Sequence, residues 1–424
     1  MRTALSKLSY VNLIKKVGIT GLAQVTIQFI GFVSGILIIR NLSIQEYALY
    51  TLSNTLLGTM TILADGGISM GVMSEGGKVW KSRQLLGEVL ATGVAMRRKF
   101  AIYSLVVMVP SSVYLLMNNG ASWMMSILIS ISIIPAFYMS LTGSIYEIAP
   151  KLHQDIIRLQ KIQIWLNIGR LGLLSLSIFI FPWAFLALFS AGLPQIWSNA
   201  KLKKLGNKYA NLSQNVSKEI EGRIYNVVKR ILPGSIYYSV SGQLVVWILS
   251  LLGSNLIIAQ VGALGRLSIL INLVNIVFMI IIVPRFSRSS EDRMVLLKKS
   301  IVIILLFLVV LMILNSSIYI LKDHILGLLG EEYSELSNEL VLSFIAGSVA
   351  TTAGLIYSLY TSRGWMISPI IYIPINLLSF LFFALSLDLS NAENAIKINI
   401  YTAGVQCIMN FVFLYHKINE CKNV

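Results

Sequence analysis

Charge is scarce in this chain. Of its 424 residues only 12% are Asp, Glu, Lys or Arg, while 56% are hydrophobic, and the mean hydropathy is +0.77. A soluble domain carries about 25% charged residues, so the composition excludes one. Acid is scarcer still, with 18 Asp and Glu against 34 Lys and Arg. The two cysteines, Cys407 and Cys421, form no CxxC pair and no disulfide framework. The three histidines, His153, His324 and His416, sit in or beside different loops, too far apart in sequence to suggest a metal or catalytic cluster. With no sizeable outer loop to carry catalytic groups and no inner acidic metal site, the sequence points to no enzyme and no cofactor.

What is abundant is oil in long runs. About twelve apolar segments of near 20 residues fit the length a helix needs to cross a bilayer: 17–39, 49–71, 100–117, 123–145, 162–180, 184–198, 232–252, 259–283, 300–320, 338–361, 367–385 and 396–415. Basic residues alternate across them. With the N-terminus inside, 29 Lys and Arg fall in inner segments, Arg40, Lys322 and Lys397 in outer loops, and Arg170 and Arg266 within spans. Excess cationic charge marks cytoplasmic loops, so the expected fold is all-α: a polytopic membrane protein of about 12 transmembrane helices with both termini cytoplasmic. The net charge of +16 would suggest nucleic acid in a soluble protein. Here the cations flank spans on the inner side, where anionic membrane lipid attracts them, so no nucleic-acid partner is expected. Lys15 and Lys16 before the first apolar run resemble a secretory signal. That run exceeds a usual h-region and lacks a small-residue cleavage site, so an uncleaved first helix is expected.

The inner side has two longer connections, 72–99 and 199–230. The second is polar and basic and ends in an amphipathic stretch from Ile220 to Ile231, with Ile224, Val227, Val228 and Ile231 on one face. Read as a lobe connector (199–231), it divides the chain into an N-terminal six-helix lobe, 1–205, and a C-terminal one, 206–424. An offset of 214 residues sets Ile14-Lys15-Lys16 on Val228-Lys229-Arg230 and Asn41-Leu42 on Asn255-Leu256. Six helices per half keep both copies in one orientation, a parallel internal repeat of the kind that rocks about a midplane site in alternating-access transporters. The longest outer loop, 321–337, is too short to hold an active site.

Several stretches resemble the multidrug/oligosaccharidyl-lipid/polysaccharide (MOP) exporter superfamily, in particular its polysaccharide transporter or Wzx-like O-antigen flippase branch. They are Arg40-Asn-Leu-Ser-Ile-Gln-Glu-Tyr-Ala-Leu-Tyr50 between the first two spans, Ala64-Asp-Gly-Gly-Ile-Ser69 low in the second, Val283-Pro-Arg-Phe-Ser-Arg288 after the eighth and Leu329-Gly-Glu-Glu-Tyr333 before the tenth. The Asp65 stretch carries two glycines where the family more often has one with a leucine. The resemblance implies that an undecaprenyl-pyrophosphate-linked oligosaccharide, an O-antigen, capsule or exopolysaccharide repeat unit, is flipped to the outer leaflet of a bacterial inner membrane. It also implies the polymerase and chain-length proteins of that pathway as partners.

A charged side chain at the bilayer centre costs about 3 kcal/mol on insertion scales, so it should face a wet interior. Arg170 lies near the middle of its span, ~13 Å from Lys161 at the helical rise. It would either grip an anionic pyrophosphate or acidic sugar through paired donors or hold a structural ion pair. Arg266 is a second cavity candidate. Asn167, Gln28 and Asn272 are polar in-span residues that line the cavity or bond neighbouring helices. Asp65, well inside a span, is a coupling or gating candidate; it would pair with an arginine or bind a proton, or simply end its helix before Gly66-Gly67. Arg40 is assigned with it, against an interfacial anchor. Tyr237, Tyr238, Tyr357, Tyr360 and Tyr372 would stack on sugars or belong to aromatic belts. A cation-coupled small-molecule exporter is the alternative function. A membrane polysaccharide polymerase would need an outer catalytic loop or an inner acidic metal site.

Overall fold

The computed structural model describes residues 2–252, 255–283, 286, 292–363 and 365–421. Among them there is no strand. The helices are α1 (Arg2–Asn41), α2 (Ile44–Asp65), α3 (Ile68–Val79), α4 (Arg83–Asn118), α5 (Trp123–Tyr146), α6 (Ile148–Leu152), α7 (Ile156–Ile180), α8 (Ala184–Tyr209), α9 (Lys218–Ser241), α10 (Leu244–Leu251), α11 (Asn255–Leu267), α12 (Ile269–Ile281), α13 (Arg293–Leu329), α14 (Ser337–Thr361), α15 (Pro369–Ser386) and α16 (Ala392–Asn419). Eight are long and apolar enough to cross a membrane, and two further spans arise if α2–α3 and α11–α12, bent by 42° and 43°, each count as one. The chain is an all-helical polytopic membrane protein. Expected spans 184–198 and 232–252 fall on α8 and on α9–α10, helical stretches outside that set of apolar spans. Of the motif 283–288, only Val283 and Phe286 are within the described residues.

The outward surface is oily, as a lipid solvent requires. On α13 Val302, Leu305, Val309, Met312 and Ile313 are exposed; water would not tolerate such a patch on a monomer. Backbone ends are capped by local chemistry. Ser43 accepts the Glu46 amide at 3.3 Å to start α2, and Asp292 accepts the amides of Met294 and Val295 to start α13, satisfying donors the first turn leaves open.

Helix contacts separate two compact units, Met1–Ile258 and Ala259–Val424. In the first, α3 lies between α4 and α9. A Cβ on Gly93 of α4 would stand 2.4 Å from Val72 Cγ2, and one on Gly71 of α3 would stand 2.9 Å from Ile224 Cγ2. Missing side chains thus permit both close approaches. Of the expected amphipathic face, Ile224 and Val228, with Ile220 before them, are buried against Ile68, Val72, Leu86 and Leu90, and Val227 is half-buried. The Ile231 side chain lies outside the described residues. Ion pairs tie the same helix down, Arg223 Nε to Glu75 at 3.0 Å and Lys99 Nζ to Glu221 at 2.8 Å. The amphipathic stretch is therefore docked on protein along its apolar face. In the second unit α14 and α16 share the largest interface, with α13 and α12 against α14 and α15 against α16.

Candidate functional site

Asp65 ends α2 at the bend. Gly66 and Gly67 follow with φ of +49° and +88°, the left-handed region that glycine enters without a Cβ penalty. The doubled glycine thus has a conformational reason: it turns the chain by 42° and starts α3 at once. The Asp65 carboxylate then serves as an external cap for α3, its Oδ1 accepting the Ser69 amide at 3.1 Å and the Ser69 hydroxyl at 2.9 Å.

A guanidinium completes the site. Arg97 of α4, one helical turn beyond Gly93, is only 3% exposed. Its Nη2 donates to Asp65 Oδ1 and Ser69 Oγ, and its Nη1 donates to the Leu141 carbonyl and Ser144 Oγ in the last turns of α5. One side chain therefore stitches the α2–α3 bend to α5. Removing one partner of such a buried pair costs about 3–5 kcal/mol, because the other charge is left uncompensated. The Asp65 side chain is 28% exposed, so water reaches the carboxylate although its partner is sealed.

From Ser144 the polar residues continue at the end of α5. Glu147 pairs with Lys151 at 2.7 Å and accepts Gln163 Nε2 of α7 at 3.4 Å. Gln160, Gln163, Asn167 and Arg170 recur at i, i+3, i+7 and i+10 and so share one face of α7. Trp165, Ile168, Leu176 and Phe179 form its exposed apolar side. α1 packs on α7, and Gln24 Nε2 donates to Gln160 Oε1 at 3.2 Å; Gln28 is one turn further along α1.

The expected cavity residues thus divide. Gln28, Asn167 and Arg170 fall on two packed helices of the first unit. Asn167 donates to its own helix at the Gln163 carbonyl, 2.8 Å. Arg170 is half-buried and has neither ion-pair nor hydrogen-bond partner among the described residues. Arg266 and Asn272 lie in the second unit on either side of Ser268, where α11 gives way to α12; Arg266 is half-buried and Asn272 exposed. Arg40 is exposed in the last turn of α1, and Asp65 belongs to the cluster above. The sequence missed Arg97 and Glu147. Arg97 stands first in Arg-Arg-Lys before an apolar run and was assigned to the inner loop. Yet Leu86, Leu90, Gly93, Arg97, Ala101 and Ser104 are all buried on one stripe of α4, a periodicity that singles it out from Arg98 and Lys99. No group of His, Cys, Asp and Glu suited to a metal occurs among the described residues.

Solved structures share this arrangement of helices. An inward-facing multidrug resistance MATE family transporter of the MOP superfamily matches with a TM-score of 0.67 and 14% identity, over 93% of this chain and 94% of its own. The lipid II flippase MurJ in an inward closed conformation matches with a TM-score of 0.70 and 13% identity, over 94% and 87%. A eukaryotic MATE transporter follows at 0.63 and 11%, over 97% and 98%. No family model matches the sequence, and no curated protein does. This chain has the fold of the MATE transporters and of the lipid II flippase.

Proposed function

We propose that the protein is an alternating-access flippase of the Wzx-like branch. It carries a polyprenyl-pyrophosphate-linked oligosaccharide from the cytoplasmic to the outer leaflet of a bacterial inner membrane. Arg170 carries this reading. A guanidinium near the middle of an apolar helix, on its polar face and without a protein partner among the described residues, is costly to keep and fits a pyrophosphate with paired donors. Asn167, one turn before it on α7, and Gln28 on the packed α1 offer groups suited to sugar hydroxyls. The lobes are 1–205 and 206–424, twelve spans in all with both termini inside, and 199–231 is the connector, its last stretch packed on α3 and α4. Flipping needs no bond chemistry, so no residue is assigned a catalytic role.

Asp65 is the coupling group. A proton on its carboxylate would leave Arg97 buried without its counter-charge, which favours release of the α2–α3 bend. Arg40 would gate at the outer end of α1. Arg266 and Asn272 would contribute to the cavity from the second lobe.

The MATE likeness favours a second reading, a cation-coupled small-molecule exporter. An exporter of cationic compounds needs a carboxylate free for its cargo, and Asp65 is already engaged by Arg97. Reconstitution separates the two. Proteoliposomes should translocate undecaprenyl-pyrophosphoryl-N-acetylglucosamine, measured by its access to an added glycosyltransferase, and should not expel ethidium. Ethidium efflux without lipid translocation would overturn the flippase.

A further inference from the structure

Three of the tyrosines singled out in the sequence are gathered around one helix, α16, in the second unit. Tyr357 and Tyr360 come from α14 and Tyr372 from the first turn of α15; both helices pack on α16. Tyr360 is fully buried. Its ring meets Phe413 at 4.9 Å and Tyr357 at 5.3 Å, both edge-on. Its hydroxyl donates to Asn410 Oδ1 at 3.2 Å, and Asn410 Nδ2 donates in turn to the Ala353 carbonyl at 3.0 Å. Tyr360 is therefore held rigidly, and it positions the ring of Tyr357, which is 44% exposed. On α16, Gln406 Nε2 donates to the Tyr372 hydroxyl, and Gln406 stands one turn before Asn410, the partner of Tyr360.

The setting is polar and open. Thr351, Ser358 and Thr361 on α14 bond carbonyls of their own helix, and a Cβ on Gly354, one turn from Tyr357, would meet no atom within 4 Å. A face of small and hydroxyl-bearing residues is compatible with the wet interior of a transporter. The named groups are neutral: phenols and a carboxamide offer donors and acceptors without charge. That chemistry suits a sugar ring and not a pyrophosphate. The C–H face of a pyranose would lie on the exposed Tyr357 ring, and its hydroxyls would meet Gln406 Oε1 and the phenols.

We propose that Tyr357, Tyr372 and Gln406 form a glycan subsite, with Tyr360 and Asn410 as positioning residues. This rests on the lipid-linked reading above. Full-length protein in nanodiscs would be titrated with undecaprenyl pyrophosphate and with undecaprenyl-pyrophosphoryl-N-acetylglucosamine. The wild type should bind the sugar-bearing lipid about tenfold more tightly, which corresponds to about 1.4 kcal/mol. Tyr357→Ala should abolish that preference and leave the affinity for the bare pyrophosphate unchanged, while Tyr357→Phe should keep most of it. Gln406→Leu, which leaves every ring in place, should reduce the preference about threefold. A preference retained in Tyr357→Ala, or equal binding of both lipids by the wild type, would overturn the subsite alone. Binding of neither lipid would overturn the lipid-linked reading and the subsite with it.

Discussion

Two arginines of the first unit occupy opposite situations on membrane-spanning helices. Arg97 is sealed between helices, with four acceptors on α2, α3 and α5. Arg170 sits on the polar face of α7 with no protein acceptor among the described residues. The first guanidinium is consumed by the structure; the second is the one assigned to the cargo in the proposed function. The contrast teaches that a cation on a long apolar helix does not by itself identify a ligand-binding charge. What matters is whether the protein has already satisfied it.

Stability and transport should therefore come apart. Arg97→Ala unties the α2–α3 bend from α5 by removing four charge-assisted hydrogen bonds and should cost on the order of 3 kcal/mol, read as a large fall in thermal unfolding temperature in detergent and in membrane abundance. A variant as stable as wild type would show that the pair is only incidental. Arg170→Ala should do the reverse, leaving stability within about 0.5 kcal/mol while abolishing flipping in proteoliposomes. Arg170→Lys should restore it only partly, since an ammonium keeps the charge without the paired-donor geometry. Full transport by Arg170→Ala at matched protein levels would assign this residue to packing.

The bend can be tested on its own. Gly67→Ala should cost about 1 kcal/mol, the penalty of placing a side chain in the left-handed region, and Gly66→Ala somewhat more because its Cβ would lie 3.1 Å from Leu232 Cδ1. If both are silent, the backbone can relax there and the bend is not fixed by its glycines. The smallest effect is expected at the inner end of α8. The hydrogen bond to Asp155 holds the Tyr209 phenol above its ordinary pKa of 10.0, so its contribution is complete below pH 10 and fades as pH rises through the elevated value. The difference in unfolding temperature between wild type and Tyr209→Phe should be constant to about pH 10 and close above it. A difference that grows with pH would reverse the assignment.

Hydropathy made most of the helices legible, because lipid demands oil over a fixed length whatever the packing. It also exposed Arg170, whose cost arises from depth alone. It could not reveal Arg97, since one cation in a basic triplet becomes structural only through its angular position on α4 and the small residues that let α3 approach. It also lost the inner half of α8: Lys201, Lys203 and Lys204 look like loop, yet the backbone remains helical to Tyr209, because helical hydrogen bonds do not require an apolar surface. The Gly66-Gly67 pair was legible as a stop for α2, but the second helix springing directly from it was not.

The turn after α8 has a consequence for how this protein tolerates change. A Cβ on Gly87 would lie 2.0 Å from the Asn211 carbonyl oxygen. The Asn211 amide reaches the Arg83 carbonyl at 2.9 Å, and Arg83 Nη2 reaches that of Asn207 at 2.7 Å. Two stretches of main chain are thus pressed together with no room for even a methyl group. Any lineage that replaces Gly87 must rebuild the turn at 210–212 in the same step, so the two segments are bound to drift together or not at all. A few residues later, Asn215 and Val216 are exposed and outside any helix, so an epitope inserted between them is expected to leave the helices on either side undisturbed.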